Sequence, residues 1–292
     1  MDAATRIRVL LALAALYLIW GSTYLGIRYA LEGFPPFVMA GSRFVFAGLI
    51  LGAIALLRGE KLPTLRQWRN AAVIGFLLAA MGNGLVVFAE QWVVSSLAAL
   101  AVSCMPIFAA VFGYFFGREL TRLDVVAVLI GFVGVVLLNR DAGMGGIFHP
   151  GVIALIAAPV CWAFGSVWAQ SLDLPKGFML SASQMLAGGL ILCGISLALG
   201  ESWPTSLSAT ALAAWLYLIV FGSIIAYSSY LYLLQHTRPA VATSYAYVNP
   251  VVAVFLGIVI AGERIDAWGW TGMVVIVSAV LLIQLQRSLG KR

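Results

Sequence analysis

Long apolar segments follow one another along almost the whole chain, separated by short stretches that carry charge, proline, glycine or serine. Each is about 20 residues long, the length that a helix needs to cross a bilayer, whereas strands of membrane barrels alternate over about ten residues. The segments are residues 9–31, 36–57, 69–90, 95–116, 122–139, 151–170, 178–199, 210–234, 239–262 and 266–286. The pattern therefore predicts an all-α integral membrane protein with ten transmembrane helices.

Composition supports a lipid environment rather than an aqueous one. Hydrophobic residues make up 63% of the 292 residues and charged residues only 10%, whereas soluble domains carry roughly 25% charged residues. A chain of this kind cannot cover its apolar surface in water. In lipid every backbone polar group needs a partner within the protein, and a helix supplies one.

Basic residues are unevenly divided between the segments that join the predicted spans. One side carries most of them, including Arg6, Arg8, Arg58 and Lys61, while the other side has Arg140 and Arg264, with Arg28 near a helix end. The positive-inside rule places the richer side in the cytoplasm. Both termini are then cytoplasmic, as an even number of spans requires, and the formal net charge of +6 needs no nucleic-acid partner to explain it.

The two halves of the chain resemble each other. A shift of 144 residues brings Pro106 onto Pro250 and Glu119 onto Glu263, and a shift of 141 brings residues 37–51 onto residues 178–192. Five spans are an odd number, so a second copy enters the membrane from the opposite side, as in many secondary transporters. The prediction is two inverted five-helix repeats, 1–141 and 142–292, around a central cavity.

Several short motifs resemble those of the drug/metabolite transporter superfamily, in particular of its members that consist of two EamA-type halves. They are LIWGSTYLGIR at 18–28, SRF at 42–44, GRE at 117–119, WAFGSVWA at 162–169 and GER at 262–264. The resemblance covers nearly the whole chain, and within the superfamily the chain is most similar to bacterial amino-acid exporters, including exporters of aromatic amino acids. It implies a cavity enclosed by helices of both halves that carries a substrate by alternating access.

Polar and aromatic side chains at mid-span depth are the candidates for lining that cavity. Tyrosine and tryptophan usually lie at membrane interfaces, so a polar aromatic side chain in mid-span needs another explanation, either a binding site or contact between helices. The candidates are Trp20, Ser22, Thr23, Tyr24, Asn83, Ser103, Trp162, Ser166, Tyr227, Tyr245, Tyr247 and Asn249.

Two mid-span prolines occupy corresponding positions, Pro106 in the fourth span and Pro250 in the ninth. Proline removes a backbone donor and bends a helix, which a membrane protein tolerates where neighbours or water satisfy the freed carbonyl. The duplicated position favours kinks that line the cavity over two tolerated prolines, although membrane helices in general accept proline more often than soluble ones.

Charge within the spans bears on the substrate. Arg43 is the base that lies well within a span, its counterpart in the second half is the neutral Gln184, and Glu90 is the acid closest to a span interior. A cationic drug would need a carboxylate at mid-depth and a phosphate ester would need several bases, so a neutral or zwitterionic solute fits better. Arg43 and Glu90 are candidates for gating or proton coupling, with a structural role for Arg43 equally open.

Other functional classes find less support. No Walker, HExxH, CxxC or nucleophile-elbow motif is present, and neither histidine lies in a span to activate a serine. The chain is therefore predicted to be a transporter of the bacterial inner membrane, without cofactor or metal, whose partners are a small-molecule substrate and the bilayer. A multidrug or cation exporter is the main alternative and an intramembrane enzyme the weaker one; a monomer is compatible with the sequence.

The predicted topology is open to a direct test. A reporter that is active only in the cytoplasm should give signal when fused at Lys61 or at Arg292, because both positions lie on the basic side. It should be silent at Gly145, between the two halves. Signal at Gly145 equal to that at Lys61 would contradict the inverted arrangement.

Overall fold

The computed structural model describes residues 3–117, 122–138, 148–237 and 244–289, and all regular secondary structure within these ranges is helical. Glu119 and the predicted reporter sites Gly145 and Arg292 lie outside the described residues. The helices are α1 (Ala4–Leu31), α2 (Pro36–Leu57), α3 (Leu65–Ala89), α4 (Ser95–Phe115), α5 (Arg122–Leu138), α6 (Pro150–Ser171), α7 (Gly177–Ala198), α8 (Ala209–Tyr230, continuing to His236), α9 (Tyr245–Val259) and α10 (Ala267–Leu289).

Each of the ten predicted apolar segments overlaps one of these helices within the described residues. In the part of the chain that the structure describes, seven of the helices are long and apolar enough to cross a membrane: α1 to α4 and α6 to α8. Within the described part of α9 and α10, two shorter apolar helical stretches remain, Val248–Val259 and Ala267–Ser278. The all-helical prediction is confirmed, and the helices are consistent with a membrane protein.

Helices α2 and α7 pack tightly against each other because glycines at their contact leave no side chain in the way. A Cβ atom on Gly48 would lie 2.9 Å from the Leu186 nitrogen and 3.1 Å from the Ala182 oxygen. A Cβ atom on Gly189 would meet the backbone of α2 in the same manner, 2.8 Å from the Val45 nitrogen and 3.0 Å from the Gly41 oxygen. Gly48 and Gly189 are 141 residues apart, the offset at which the two sequences match.

Two glutamates hold the ends of the same helix pair. The Glu60 carboxylate, just beyond α2, accepts backbone hydrogen bonds from Phe178 (3.1 Å) and Met179 (2.9 Å) at the start of α7. Glu201, just beyond α7, accepts from Phe37 (3.3 Å) and Val38 (2.8 Å) at the start of α2. The end of each helix thus lies beside the start of the other, so the pair is antiparallel. Each carboxylate also satisfies amides that a helix N-terminus leaves unpaired.

A third glutamate joins three separate parts of the bundle. Glu263, between α9 and α10, accepts hydrogen bonds from the backbone nitrogens of Ser95 (3.0 Å) and Ser96 (3.1 Å) at the start of α4, and from both serine hydroxyls. It also forms a salt bridge with Arg28 near the end of α1. We call these residues the Glu263 network. Its carboxylate is fully enclosed, so its charge is balanced by these donors rather than by water.

The network also determines how Glu263 titrates. Burial by itself raises the pKa of a carboxyl group, but the hydrogen bonds from Ser95, Ser96 and Arg28 outweigh burial and hold the pKa of Glu263 below its ordinary value. Because the folded-state pKa is the lower one, the carboxylate contributes stability above its unfolded pKa. That contribution is lost as the pH falls through the folded-state pKa.

The close approach of α2 and α7 predicts different costs for two neighbouring glycines. Gly48→Ala should lower the melting temperature of the purified protein, because the added methyl group meets backbone atoms and the helices must separate; such overpacking typically costs about 1–3 kcal/mol. Gly52→Ala is the matched control, since its nearest neighbour, the Ala182 Cβ, would be at 3.8 Å. Equal melting temperatures for the two variants would show that this contact does not constrain the fold.

The Glu263 network predicts a pH-dependent stability difference. Glu263→Gln should melt at a lower temperature than the wild type at pH 7, because the amide keeps only part of the acceptor capacity and loses the charge that pairs with Arg28. The difference should shrink as the pH falls below the ordinary glutamate pKa of about 4.3. Thermal melts in detergent across this range would measure it.

Glu32→Gln is the control for that series, since Glu32 is an exposed carboxylate directly after α1. Its melting temperature should follow that of the wild type at every pH. A Glu263→Gln curve that runs parallel to the wild type down to low pH would mean that the network does not depend on an ionised carboxylate.

Candidate functional site

A cavity lies at the centre of the bundle, between helices from both halves of the chain. It encloses about 620 Å³ of space between protein atoms, its solvent-open part included. We call it the central cavity. Its lining residues are Trp20, Thr23, Tyr24, Ile27, Arg43, Phe44, Gly82, Asn83, Val86, Val102, Met105, Trp162, Gly222, Tyr227, Tyr245 and Asn249.

Aromatic rings from four helices meet around Trp20. The Trp20 ring lies 4.9 Å from that of Tyr245 and 5.4 Å from that of Tyr230, measured between centroids. Trp162 and Tyr227 complete the aromatic cluster at 6.0 and 6.3 Å from Trp20. Most of these pairs meet edge to face, an arrangement that the ring quadrupole favours. Trp20, Trp162, Tyr227 and Tyr245 line the central cavity, whereas Tyr230 is not among its lining residues.

Local irregularities of the helices coincide with cavity residues. Helices α1, α3 and α8 each contain a π-helical stretch: Leu16–Trp20, Phe76–Asn83 and Leu218–Ile225. Trp20 and Asn83 close the first two stretches, and Gly222 lies within the third. A π-helical turn shifts the register of the side chains that follow it and is frequent at functional sites. In α8 the Gly222 carbonyl oxygen accepts a hydrogen bond from Trp20 Nε1 at 3.0 Å.

The two predicted kink prolines occupy different environments. Helix α4 is interrupted at Ser103 and Cys104, and Pro106 lies in the first turn of the following helical segment, where its missing N–H costs little. Pro250 lies inside a continuous helical run in α9. A smaller cavity of about 230 Å³ is lined by Ser103 and Pro250 and shares Tyr24, Val102, Met105, Tyr245 and Asn249 with the central cavity.

Hydrogen bonds hold several of the lining side chains in place. The Tyr245 hydroxyl donates to the Met105 sulfur at 3.5 Å. The Asn249 amide nitrogen, in the orientation that satisfies its neighbours, donates to the carbonyl oxygens of Tyr245 and Tyr17, both at 3.2 Å. Tyr227 donates to Gln184 Oε1 at 2.7 Å. These bonds hold the Tyr245 and Tyr227 rings and the Asn249 amide in defined positions.

Arg43 is the charged residue among those that line the central cavity. It is only 3% exposed, its Nε donates to the Ser223 hydroxyl at 2.8 Å, and its guanidinium carbon lies 4.9 Å from the centre of the Phe44 ring. Its Nη1 nitrogen is buried and finds no hydrogen-bond partner among the described residues.

Glu90 lies next to the central cavity rather than on its wall. Val86, one helical turn earlier on α3, lines the cavity, whereas Glu90 follows the last residue of the helix and is 7% exposed. Both of its carboxylate oxygens lack a hydrogen-bond partner among the described residues. It is close enough to Arg28, Arg43, Glu263 and Tyr24 to interact with them electrostatically.

Three further predicted site residues, Ser22, Ser166 and Pro106, are not among the lining residues of the central cavity. Ser22 forms a 2.5 Å hydrogen bond with the Tyr217 hydroxyl between α1 and α8. The Ser166 hydroxyl is buried and has no hydrogen-bond partner among the described residues. Pro106 lies outside both cavities. The side chain of Tyr247 lies outside the described part of the chain.

Sequence reasoning missed some residues that contribute to the site. Tyr230, one helical turn after Tyr227, was detectable because positions three apart share a helix face. Met105, Val102, Phe44 and Gly222 carried no such signal, since apolar residues and glycine are common throughout the spans. Within the described residues, no group of three or more histidine, cysteine, aspartate or glutamate side chains could hold a metal ion.

Comparison with known proteins places this architecture in a family. The model of the EamA-like transporter family matches the chain twice, at residues 7–140 and 149–285. The chain is 46% identical over 280 residues to the uncharacterized inner membrane transporter YedA of Escherichia coli K12, covering 95% of this chain and 91% of YedA. It is 26% identical over 270 residues to protein PecM of Dickeya dadantii, covering 91% and 89% of the two chains.

A solved crystal structure has the same fold. It superposes with a TM-score of 0.67 over 100% of both chains, at 19% sequence identity. Two family matches that together span most of the sequence, and a relative at 46% identity, are sufficient for assignment. The chain belongs to the EamA-like transporter family, within the drug/metabolite transporter superfamily.

Proposed function

We propose that the protein is a secondary transporter that exports amino acids, in particular large or aromatic neutral ones, or related small metabolites, by alternating access. The observation that carries the proposal is the central cavity, where the aromatic cluster and Arg43 lie together. Ring faces favour an apolar or aromatic group, and a small number of fixed polar atoms orient it. A large neutral amino acid has both features.

The inverted repeat is part of the proposal. Residues 1–141 and 142–292 form its two halves, each with five helices. Its support is the reciprocal pair of contacts in which Glu60 caps α7 and Glu201 caps α2, at positions 141 residues apart. Gly48 and Gly189 repeat the same offset at the contact between these helices. Two similar halves of opposite orientation provide two similar energy states, one open to each side of the membrane.

Two observations support the location of the protein in the inner membrane and its orientation there. The related YedA is named an inner membrane transporter, and the basic residues of this chain concentrate in segments that include Arg58 and Lys61. We therefore place the protein in the bacterial inner membrane with both termini in the cytoplasm. The ends of α1 and α3, with the Glu263 network, then face the periplasm.

Export of cationic drugs is the alternative function for which the structure offers an argument. Glu90 is a buried carboxylate close to the cavity, and aromatic rings attract organic cations. Against it, the charged group on the wall of the cavity is Arg43, which repels a cation in a site of low dielectric constant. A neutral or zwitterionic substrate avoids that repulsion.

Transport measurements on the purified protein distinguish export of amino acids from export of cationic drugs. In proteoliposomes loaded for counterflow, we expect uptake of L-phenylalanine, L-tryptophan or L-leucine to exceed that of tetraphenylphosphonium by at least about 10-fold, the factor that ~1.4 kcal/mol of differential binding produces. Uptake should be measured with and without a proton gradient. Strong uptake of tetraphenylphosphonium without uptake of any amino acid would favour the cation exporter.

Substitutions at the central cavity test whether amino-acid uptake depends on this site. Trp20→Ala should reduce amino-acid uptake because it removes the ring around which the aromatic cluster is built. Trp270→Ala is the control, since Trp270 is 46% exposed on α10 and lies away from the cavity. Both variants should first be shown to reach the membrane at wild-type levels.

A further inference from the structure

Arg43 has donor capacity that the protein itself does not use. A guanidinium group carries five N–H donors in a planar fork. In Arg43 the Nε donor is bound to Ser223, while the buried Nη1 nitrogen has no acceptor among the described residues. A buried charged group without hydrogen-bond partners is costly, so native proteins rarely retain one unless a ligand or water completes it.

The unused nitrogen belongs to a residue on the wall of the central cavity. Arg43 is a lining residue and is 97% enclosed, being 3% exposed. The neighbouring Nη2 lies against Gly222, where an added Cβ atom would come within 3.1 Å of it. A side chain at Gly222 would therefore press against the guanidinium group.

Gly222 connects the guanidinium group with the aromatic cluster. Its carbonyl oxygen accepts the hydrogen bond from Trp20 Nε1, while its Cα side faces Nη2 of Arg43. Ser223, the next residue, holds Arg43 Nε. The ring at the centre of the cluster is thus held by Gly222 and the Arg43 side chain by Ser223, two consecutive residues of α8, and both side chains line the central cavity.

We propose that Arg43 binds the carboxylate of the substrate, and that the substrate class is therefore a zwitterion in which a carboxylate is joined to a large apolar or aromatic group. This assignment rests on the proposed function and adds the group that the site recognises. A planar guanidinium fork matches a carboxylate in shape as well as in charge.

Several charged and titratable groups lie near Arg43. Glu90, buried beside the cavity, interacts electrostatically with Arg43 but forms no hydrogen bond with it. Arg28 and Glu263 are paired with each other. Two further titratable groups lie near the site: Tyr24 on α1 interacts electrostatically with Glu90, and Tyr217 on α8 with Arg43. A zwitterion adds no net charge to this balance, whereas an anion or a cation does.

The test compares two ligands, one with the carboxylate and one in which a neutral amide replaces it. Unlabelled L-phenylalanine and L-phenylalaninamide compete with labelled L-phenylalanine for uptake into proteoliposomes. With the wild type we expect the amide, which keeps the ring and the ammonium group, to compete at least about 10-fold more weakly, as expected for the loss of a charge-assisted hydrogen bond. In Arg43→Gln this ratio should fall towards one, and in Arg43→Lys it should be intermediate.

Arg28→Gln is the matched control, because it removes a guanidinium group that is paired with Glu263 instead of facing the cavity. A change in the total uptake by this variant is compatible with the proposal. The ratio between competition by L-phenylalanine and competition by L-phenylalaninamide should keep its wild-type value. A ratio is independent of the amount of active protein, so partial misfolding of a variant does not imitate the expected result.

The possible outcomes test the role of Arg43 separately from the proposed export of amino acids. Wild-type uptake of L-phenylalanine with equal competition by the amide would overturn the role of Arg43 and leave amino-acid export standing. The same holds for an unchanged ratio in Arg43→Gln, or for an equal fall of the ratio in Arg28→Gln. If the wild type transports no amino acid at all, the proposed function and this assignment are both overturned.

Discussion

Polar groups enclosed in a lipid-exposed helical bundle must find partners within the protein, because hydrocarbon offers none. Much of this structure follows from how that requirement is met. Glu60 and Glu201 reach across to the N-termini of α7 and α2, and Glu263 collects donors from α4 and α1. These carboxylates align helices that are distant in sequence. Arg43 and Glu90, whose buried polar atoms remain incompletely paired, lie respectively at and beside the central cavity.

Close packing and open space are divided between different parts of the bundle. Between α2 and α7 the glycines bring backbone against backbone, which gives the two halves a firm contact and maximises dispersion contacts between helices. Around the cavity the helices are irregular instead: π-helical stretches in α1, α3 and α8, and an interruption in α4 before Pro106. Irregular segments of this kind are suited to change when a transporter alternates between states.

The substrate site that we propose combines two kinds of selectivity. The aromatic cluster accepts apolar groups with little discrimination of size, since one methylene more or less changes binding by only about 1–3 kcal/mol. A buried donor such as Arg43 Nη1 discriminates more strongly, because a ligand without an acceptor leaves it unpaired. A site that joins the two selects a class of solute, defined by its charged group, while tolerating variation in its apolar part.

The apolar pattern by itself determined the helical architecture. Lipid permits few alternatives to a helix for segments of this length, so residues 36–57, for instance, coincide with α2. The same reasoning singled out Trp20, Trp162, Tyr227 and Tyr245, since polar aromatic residues in mid-span need a partner. Only the tertiary structure decided that Ser22 contacts Tyr217 and that Tyr230 joins the aromatic cluster. It also decided that Gln184 is paired by Tyr227 while Arg43 keeps an unused donor. The physical reason is that helices apolar on nearly every side carry little periodicity, so their orientation is set by close packing against neighbours distant in sequence.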